Sequence, residues 1–245
     1  MKILVCVTSV PDTITKITLT DNNTKLNKAG VQFITGPYDD YALSRAVELK
    51  EQLGGSVTVL NVGESDADPV IRKCLAIGAD DAIRVNAEPT DAYFVAEQIA
   101  AIAKESSYDL ILMGRESIDY NGGQVHGIVG EMLGLPSISP VMKLAIEGST
   151  AKITREIEGG HEELEAGLPL VLGCQEPIAE WKIPNMRGIM SARTKPLKVV
   201  EPTGKETLTH IANYELPPAR GACKMIPASE AETLIKLLRT EAKVI

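Results

Sequence analysis

The segments of this chain that read as strands are apolar almost throughout. Ile3-Leu4-Val5 near the start and Leu110-Ile111-Leu112-Met113 further on lack the polar alternation of a sheet with one wet face. Between such runs lie segments with apolar residues at helical spacing. Over 39–53, Ala42, Leu43, Ala46, Val47, Leu49 and Leu53 recur on one face, and Gly54-Gly55 ends the segment. The order continues with a strand over 57–62, a helix over 68–77 closed by Gly78, and a short strand around 82–85. A helix over 91–104, with Val95, Ile99 and Ile102 on one face, leads into the strand at 110–113. Strands buried on both faces need a layer on each side, and strand–helix alternation supplies it. The pattern predicts an α/β fold: a parallel sheet, right-handed crossovers, and helices on both faces.

Beyond Gly122 one more helix is expected over 124–133, ended by Gly134 and Pro136. Two β-like segments, 152–156 and 163–174, flank Gly159-Gly160 and read as a hairpin or an addition at the sheet edge. From Glu201 the composition changes. Pro202, Gly204, Pro217, Pro218 and Gly221 break up a stretch that recovers only in a helix over 229–241, with Leu234, Leu237 and Leu238 apolar. An arm of this kind cannot form a core of its own and must lie on the domain or on a partner. The division expected is an α/β domain over 1–200 and a C-terminal arm and helix over 201–245.

Composition excludes several functions. The net charge of −8 argues against broad binding to nucleic acid or anionic membranes. No apolar run is long enough to span a bilayer, and Lys2 leads directly into a core strand with no signal segment. Cys6, Cys74, Cys174 and Cys223 are scattered without C-x-x-C spacing, as in a cytoplasmic protein with reduced thiols. Aromatic residues are only 4%, so a flat cofactor would be held by backbone and aliphatic groups more than by stacking. There is no G-x-G-x-x-G after a strand, no P-loop, and no H-E-x-x-H. His126, His161 and His210 lie far apart without companion ligands, so neither a metal site nor a catalytic residue is expected.

Two regions are candidates for function. In open parallel sheets, ligands sit beyond the carboxyl ends of the strands. Here those ends carry Thr8-Ser9, Gly63 and Gly114-Arg115. The last opens into 116–124, where Gly122 and Gly123 let backbone N–H groups face an anion and the next helix adds its positive end. That loop reads either as a phosphate site or as a Gly-rich turn with Asn121 as helix N-cap. The Gly36-Pro37-Tyr38-Asp39-Asp40 run precedes the first helix, and Asp39 and Asp40 are expected to cap it. The second region, 184–197, combines a flexible apolar tip, Met186 beside Gly188, with Arg187, Arg193 and Lys195. It reads as a docking loop or as an ordinary solvated basic loop.

Taken in order, these segments resemble the β subunit of the electron-transfer flavoprotein family over nearly the whole chain. The resemblance rests on 2–7 with Pro11-Asp12, on Gly36-Pro37-Tyr38-Asp39 before Ala42-Leu43, on 71–80, on 109–124, and on 184–197. It implies an adenine-nucleotide α-hydrolase-like domain in an α/β heterodimer, with one FAD held mostly by the partner α subunit. It also implies a structural AMP on this subunit. By position the AMP contacts fall on Cys6 (through its backbone), Gly36, Pro37, Tyr38, Asp39, Val62, Gly114, Arg115 and Asp119. Asn121, Gly122, Gly123, Gln124 and Val125 form the phosphate cradle. The positions near the flavin are Thr13 and Tyr38, of which only Tyr38 carries a ring. The region 182–197 corresponds to the family's recognition loop, with Met186 as its anchor beside Arg187, Gly188 and Ile189. The implied function is to shuttle electrons from acyl-CoA or related dehydrogenases to a quinone oxidoreductase or another acceptor. Two alternatives stand beside it: a bifurcating, NADH-linked complex with a second FAD in the AMP site, and a lone nucleotide-binding protein of the universal-stress type.

Overall fold

A computed structural model describes residues 1–204 and 207–245. Strand β1 (Lys2–Cys6) opens the chain and passes into four short strands, β2 (Ser9–Pro11), β3 (Leu19–Thr20), β4 (Lys25–Leu26) and β5 (Phe33–Thr35). Helix α1 (Pro37–Leu53) then returns to β6 (Ser56–Val62), followed by α2 (Asp68–Ile77), β7 (Asp81–Val85), α3 (Ala92–Glu105), β8 (Leu110–Gly114) and α4 (Val125–Leu133). The second half adds β9 (Ser137–Glu147), β10 (Thr150–Ile157), β11 (Gly160–Gly167), β12 (Leu170–Cys174), α5 (Met186–Ala192), β13 (Leu197–Val200) and α6 (Ala231–Leu237).

Nine strands form one sheet in the order β11-β10-β9-β12-β8-β1-β6-β7-β13. All neighbours are parallel except β9 with β10 and β10 with β11. The expected parallel sheet is therefore present, and its apolar strands are explained by the two cores they separate. On one face Ile3 and Val5 pack with Leu43 and Val47 of α1 and with Ile71 and Leu75 of α2. On the other, Leu4 and Leu60 pack with Phe94 and Ile99 of α3 and with Val129 of α4. The helix-ending signals also act as read. Gly54 and Gly55 both adopt positive φ, and a side chain at Gly55 would overlap the backbone of Met1.

Three expectations need correction. Residues 163–174 are two strands, because the charged alternation of Glu163, Leu164, Glu165 and Ala166 belongs to the sheet edge, whereas the wholly buried 170–174 belongs to its centre. The edge addition is a three-stranded antiparallel meander including β9, which sequence reading missed. Finally, 184–197 contains no flexible tip: 186–192 is a helix.

That helix is fastened at both ends. The Asn185 side chain accepts from the Gly188 amide at 2.8 Å, an N-cap. At the other end Arg72 donates to the carbonyls of Ala192 and Lys195, at 2.8 and 2.7 Å. Lys195 is not a free steering charge, since its ammonium donates to Leu75 and Ala79 carbonyls at 2.8 and 2.6 Å and closes the end of α2. Gly188 lies so close to the Ala76 carbonyl that a β-carbon there would collide with it. Gly188→Ala should therefore cost roughly 1–3 kcal/mol of local stability. Hydrogen exchange is expected to rise in 186–192 and remain unchanged in β1 and β8.

Candidate functional site

The chain lays down β1, β6 and β7 toward one edge, then places β8 and β12 on the opposite side of β1. The strand order reverses between β1 and β8, where the loops leaving the two carboxyl ends diverge and leave a crevice. Asp39, in the first turn of α1, sits at this divergence with only 3% exposure. One carboxylate oxygen accepts from the Thr8 amide at 2.8 Å and the Thr8 hydroxyl at 2.6 Å. The other accepts from the Gly114 amide at 2.7 Å. A single side chain thus ties the chain leaving β1 to the end of β8.

This geometry corrects the capping expectation. The N-cap of α1 is Gly36, which has no side chain to bond, and Asp39 reaches the strands instead. It also explains two glycines. A β-carbon on Gly36 would come 2.5 Å from both Asp39 Oδ2 and Thr8 Oγ1, and one on Gly114 would come 2.6 Å from Asp39 Oδ1. Burial pushes the Asp39 carboxyl up to about 6, against the pull of its hydrogen bonds.

The far rim is the loop after β8. Arg115 donates its backbone N–H to the Cys174 carbonyl at 2.9 Å, and its guanidinium lies 5.0 Å from the Tyr38 ring centre. The same guanidinium reaches Gln175 Oε1 at 2.9 Å and Glu116 at 3.1 Å, and Gln175 in turn donates to Glu156 at 2.6 Å. Asn121 and Gly123 both have positive φ, 51° and 59°. Asn121 is not the helix cap: that position is Gln124, and no side chain bonds the first N–H groups of α4. The start of α4, at the carboxyl side of β8, therefore has no side-chain cap.

The sequence-derived residues therefore fall into two groups. Cys6, Gly36, Pro37, Tyr38, Asp39, Val62, Gly114 and Arg115 stand at or just beyond the carboxyl ends of β1, β6 and β8, while Asp119, Asn121, Gly122, Gly123, Gln124 and Val125 form the loop into α4. The Cys6 thiol is buried and its pKa raised by that burial, so its backbone is the part on offer. Two neighbours were missed. His126 sits 3.3 Å from the Ser137 hydroxyl and bonds the Gly123 backbone, and burial lowers its pKa and keeps it neutral. Asn61, at the end of β6, donates to the Val7 carbonyl at 2.8 Å while its buried Oδ1 has no protein donor. Neither belongs to a spacing pattern that sequence could reveal.

Met186, Arg187, Gly188 and Ile189 lie apart from the crevice, on α5. Between α2 and α5 runs a groove of about 580 Å³ lined by Pro69, Arg72, Lys73, Ala76, Ile189 and Arg193. Beside it Met186 is 73% exposed, and so are apolar neighbours that sequence reading left out, Ile183 (72%) and Met190 (68%).

Among the described residues there is no metal-binding cluster, and no helix is long and apolar enough to cross a membrane. A mostly parallel sheet with a polar, glycine-lined crevice at its order reversal places the chain among α/β proteins of the nucleotide-binding type. The model of the electron transfer flavoprotein domain matches residues 24–204. The electron transfer flavoprotein subunit beta of Bacillus subtilis (strain 168) is 36% identical over 236 residues, covering 90% of this chain and 91% of that one. The subunit beta of Syntrophomonas wolfei subsp. wolfei is 36% identical over 224 residues, with 91% and 88% covered. That of Bradyrhizobium diazoefficiens is 30% identical over 251 residues, covering both chains fully. The chain belongs to the electron transfer flavoprotein family as a β subunit, and a β subunit implies an α subunit.

The Asp39 clamp has a measurable pH signature. Between about pH 4 and pH 6 the folded carboxyl keeps its proton while the unfolded one has lost it, so stability falls as pH rises through that window. The protonated group can donate to the Thr8 hydroxyl, which is able to accept. In Asp39→Asn this component is absent, and one backbone N–H faces an amide N–H, at a cost of about 1–3 kcal/mol. Denaturant titrations of both proteins across pH 4–7 should show the wild-type advantage shrinking by about 2 kcal/mol between pH 4 and 6.

Proposed function

We propose that this chain supplies the nucleotide-supported scaffold and docking face of a heterodimeric electron carrier. In this reading FAD, held mostly by the α subunit, takes electrons from acyl-CoA or related dehydrogenases and passes them to a quinone oxidoreductase or another acceptor. AMP occupies the crevice of the β subunit and has a structural role. The observation that carries the reading is the uncapped N-terminus of α4, joined to the positive-φ residues Asn121 and Gly123 at the carboxyl side of β8, whose end Asp39 ties to the chain leaving β1.

The residues fit such a ligand. The backbone of 121–125 offers N–H groups to a phosphate, since no side chain caps the start of α4. Arg115 adds the positive charge at the rim, held in place by Tyr38, Gln175 and Glu116. Asp39 has both oxygens committed to the protein and acts by positioning. AMP at about 100 times its dissociation constant would stabilise the fold by roughly 2.7 kcal/mol. Tyr38 carries the ring that this subunit would present toward the flavin. The exposed Ile183, Met186 and Met190 beside a groove edged by Arg72, Lys73 and Arg193 offer an apolar anchor with a cationic rim.

The test is to denature the purified heterodimer and identify its nucleotides. One FAD and one AMP are expected; two FAD would replace this reading with the bifurcating, NADH-linked one. A flavin-free homodimer would point to the universal-stress type, which the long arm beyond residue 201 disfavours. Docking is checked separately. Met186→Ala and Ile183→Ala should each weaken capture of a reduced acyl-CoA dehydrogenase by about 2 kcal/mol. Flavin content should stay unchanged, and loss of flavin in either variant would contradict a docking role.

A further inference from the structure

The first part of the C-terminal arm does not leave the domain. Thr203 is fixed to α3 by the buried Gln98, which accepts from the Thr203 amide at 2.8 Å and donates to its carbonyl at 2.6 Å. Asp91 then serves two elements at once. Its Oδ1 caps α3 by accepting from the Phe94 amide at 2.7 Å, while its Oδ2 accepts from the arm amides of Leu208 and Thr209 at 2.7 and 2.8 Å. A few residues on, the Tyr214 amide donates to the Asn23 carbonyl at 2.8 Å. Asn23 lies at the tip of the β3–β4 hairpin, where Asp21, Asn22 and Asn23 all have positive φ. That hairpin is itself tied to the loop after β6 by Lys28, 3.0 Å from Asp66 and 3.8 Å from Glu64.

These attachments set the course of the arm. Asp91 follows the carboxyl end of β7, and the hairpin follows that of β1. Burial, and after it the charges of Asp119, Glu88 and Tyr120, raise the pKa of the half-buried Tyr214. The hydrogen bonds to Asp91 and Asn23 therefore carry the segment 208–214 across the carboxyl edge of the sheet from β7 toward the loop that leaves β1, on the side where β1 borders the order reversal. Three strand spacings, roughly 14 Å, separate β7 from β8. Seven extended residues reach up to about 23 Å. Tyr120 in turn lies against Gly122, whose added β-carbon would meet its ring at 3.0 Å. Past Tyr214 the attachment ends: α6 has no buried residue.

We propose that 208–214 is a strap over the crevice, anchored by Asp91 and closed at Tyr214 on the β3–β4 hairpin, so that a bound adenine nucleotide leaves only when the arm lifts. The proposal rests on the crevice holding a nucleotide. It assigns to the arm a binding role separate from any contact its second half makes with the α subunit.

The experiment loads the heterodimer with radiolabelled AMP and follows its release into excess unlabelled AMP. Asp91→Asn keeps an acceptor for the α3 cap but turns an amide N–H toward Leu208 and Thr209. Tyr214→Ala removes the half-buried ring at the hairpin end and leaves the anchor intact. Both variants should release AMP at least ten-fold faster than wild type, with FAD content unchanged. Release at the wild-type rate from variants that bind AMP stoichiometrically would overturn the strap and leave the nucleotide reading standing. A wild-type heterodimer that holds no nucleotide in the crevice would overturn both. If the crevice holds FAD, the same chase with FAD decides the strap by the same criterion.

Discussion

Asp39 hydrogen-bonds both the chain leaving β1 and the end of β8 from its place on α1. A parallel sheet whose order reverses has two neighbouring strands with connections that depart in opposite directions, and the ends of those strands are left with unpaired amides. The Asp39 carboxylate takes the amides of Thr8 and Gly114 together, from a position on α1 that the Gly36 turn determines. The glycines at 36 and 114 follow from this contact, because only hydrogen fits where the carboxylate lies. The crevice is thus built from the inside: a buried anion organises the backbone, and the backbone presents its N–H groups outward.

The next residue turns to the α2–α5 side. Asp40 is buried 3.2 Å from the Lys73 ammonium, and that ammonium lies 5.7 Å from the Trp181 ring at the entry to 182–197. Ser44, one turn further along α1, accepts from the Lys182 amide at 3.1 Å. The same two helices, α1 and α2, therefore start at the carboxyl ends of the strands and support the segment 181–192. That packing explains why residues 186–192 form a helix pinned to α2 in place of a loose tip.

Much of this architecture was legible in the sequence, because buried parallel strands and glycine-terminated helices leave strong local patterns. The helix over 68–77 and its Gly78 stop need no tertiary information. Legibility failed where a long-range contact decides the outcome. Asp39 and Asp40 look like helix caps, since acidic residues in a first turn usually satisfy local N–H groups; their true partners are 31 and 75 residues away in the case of Asp39. The centrally placed β12 was obscured because its neighbours in the sheet, β8 and β9, are not its neighbours in sequence. Lys195 looked like a free cation, and only the fold shows that α2 ends against it. The Tyr214 strap left no signal at all, being backbone contacts from a segment without periodicity.

If the clamp at Asp39 shapes the nucleotide crevice, its effect on occupancy must be separable from that of the neighbouring Asp40. The most direct measurement is equilibrium binding of AMP to nucleotide-stripped heterodimers carrying Asp39→Asn or Asp40→Asn, at pH 7.5. The account predicts that Asp39→Asn weakens AMP binding by ten-fold or more while Asp40→Asn stays within a factor of three of wild type. Wild-type affinity in a folded Asp39→Asn heterodimer would contradict it.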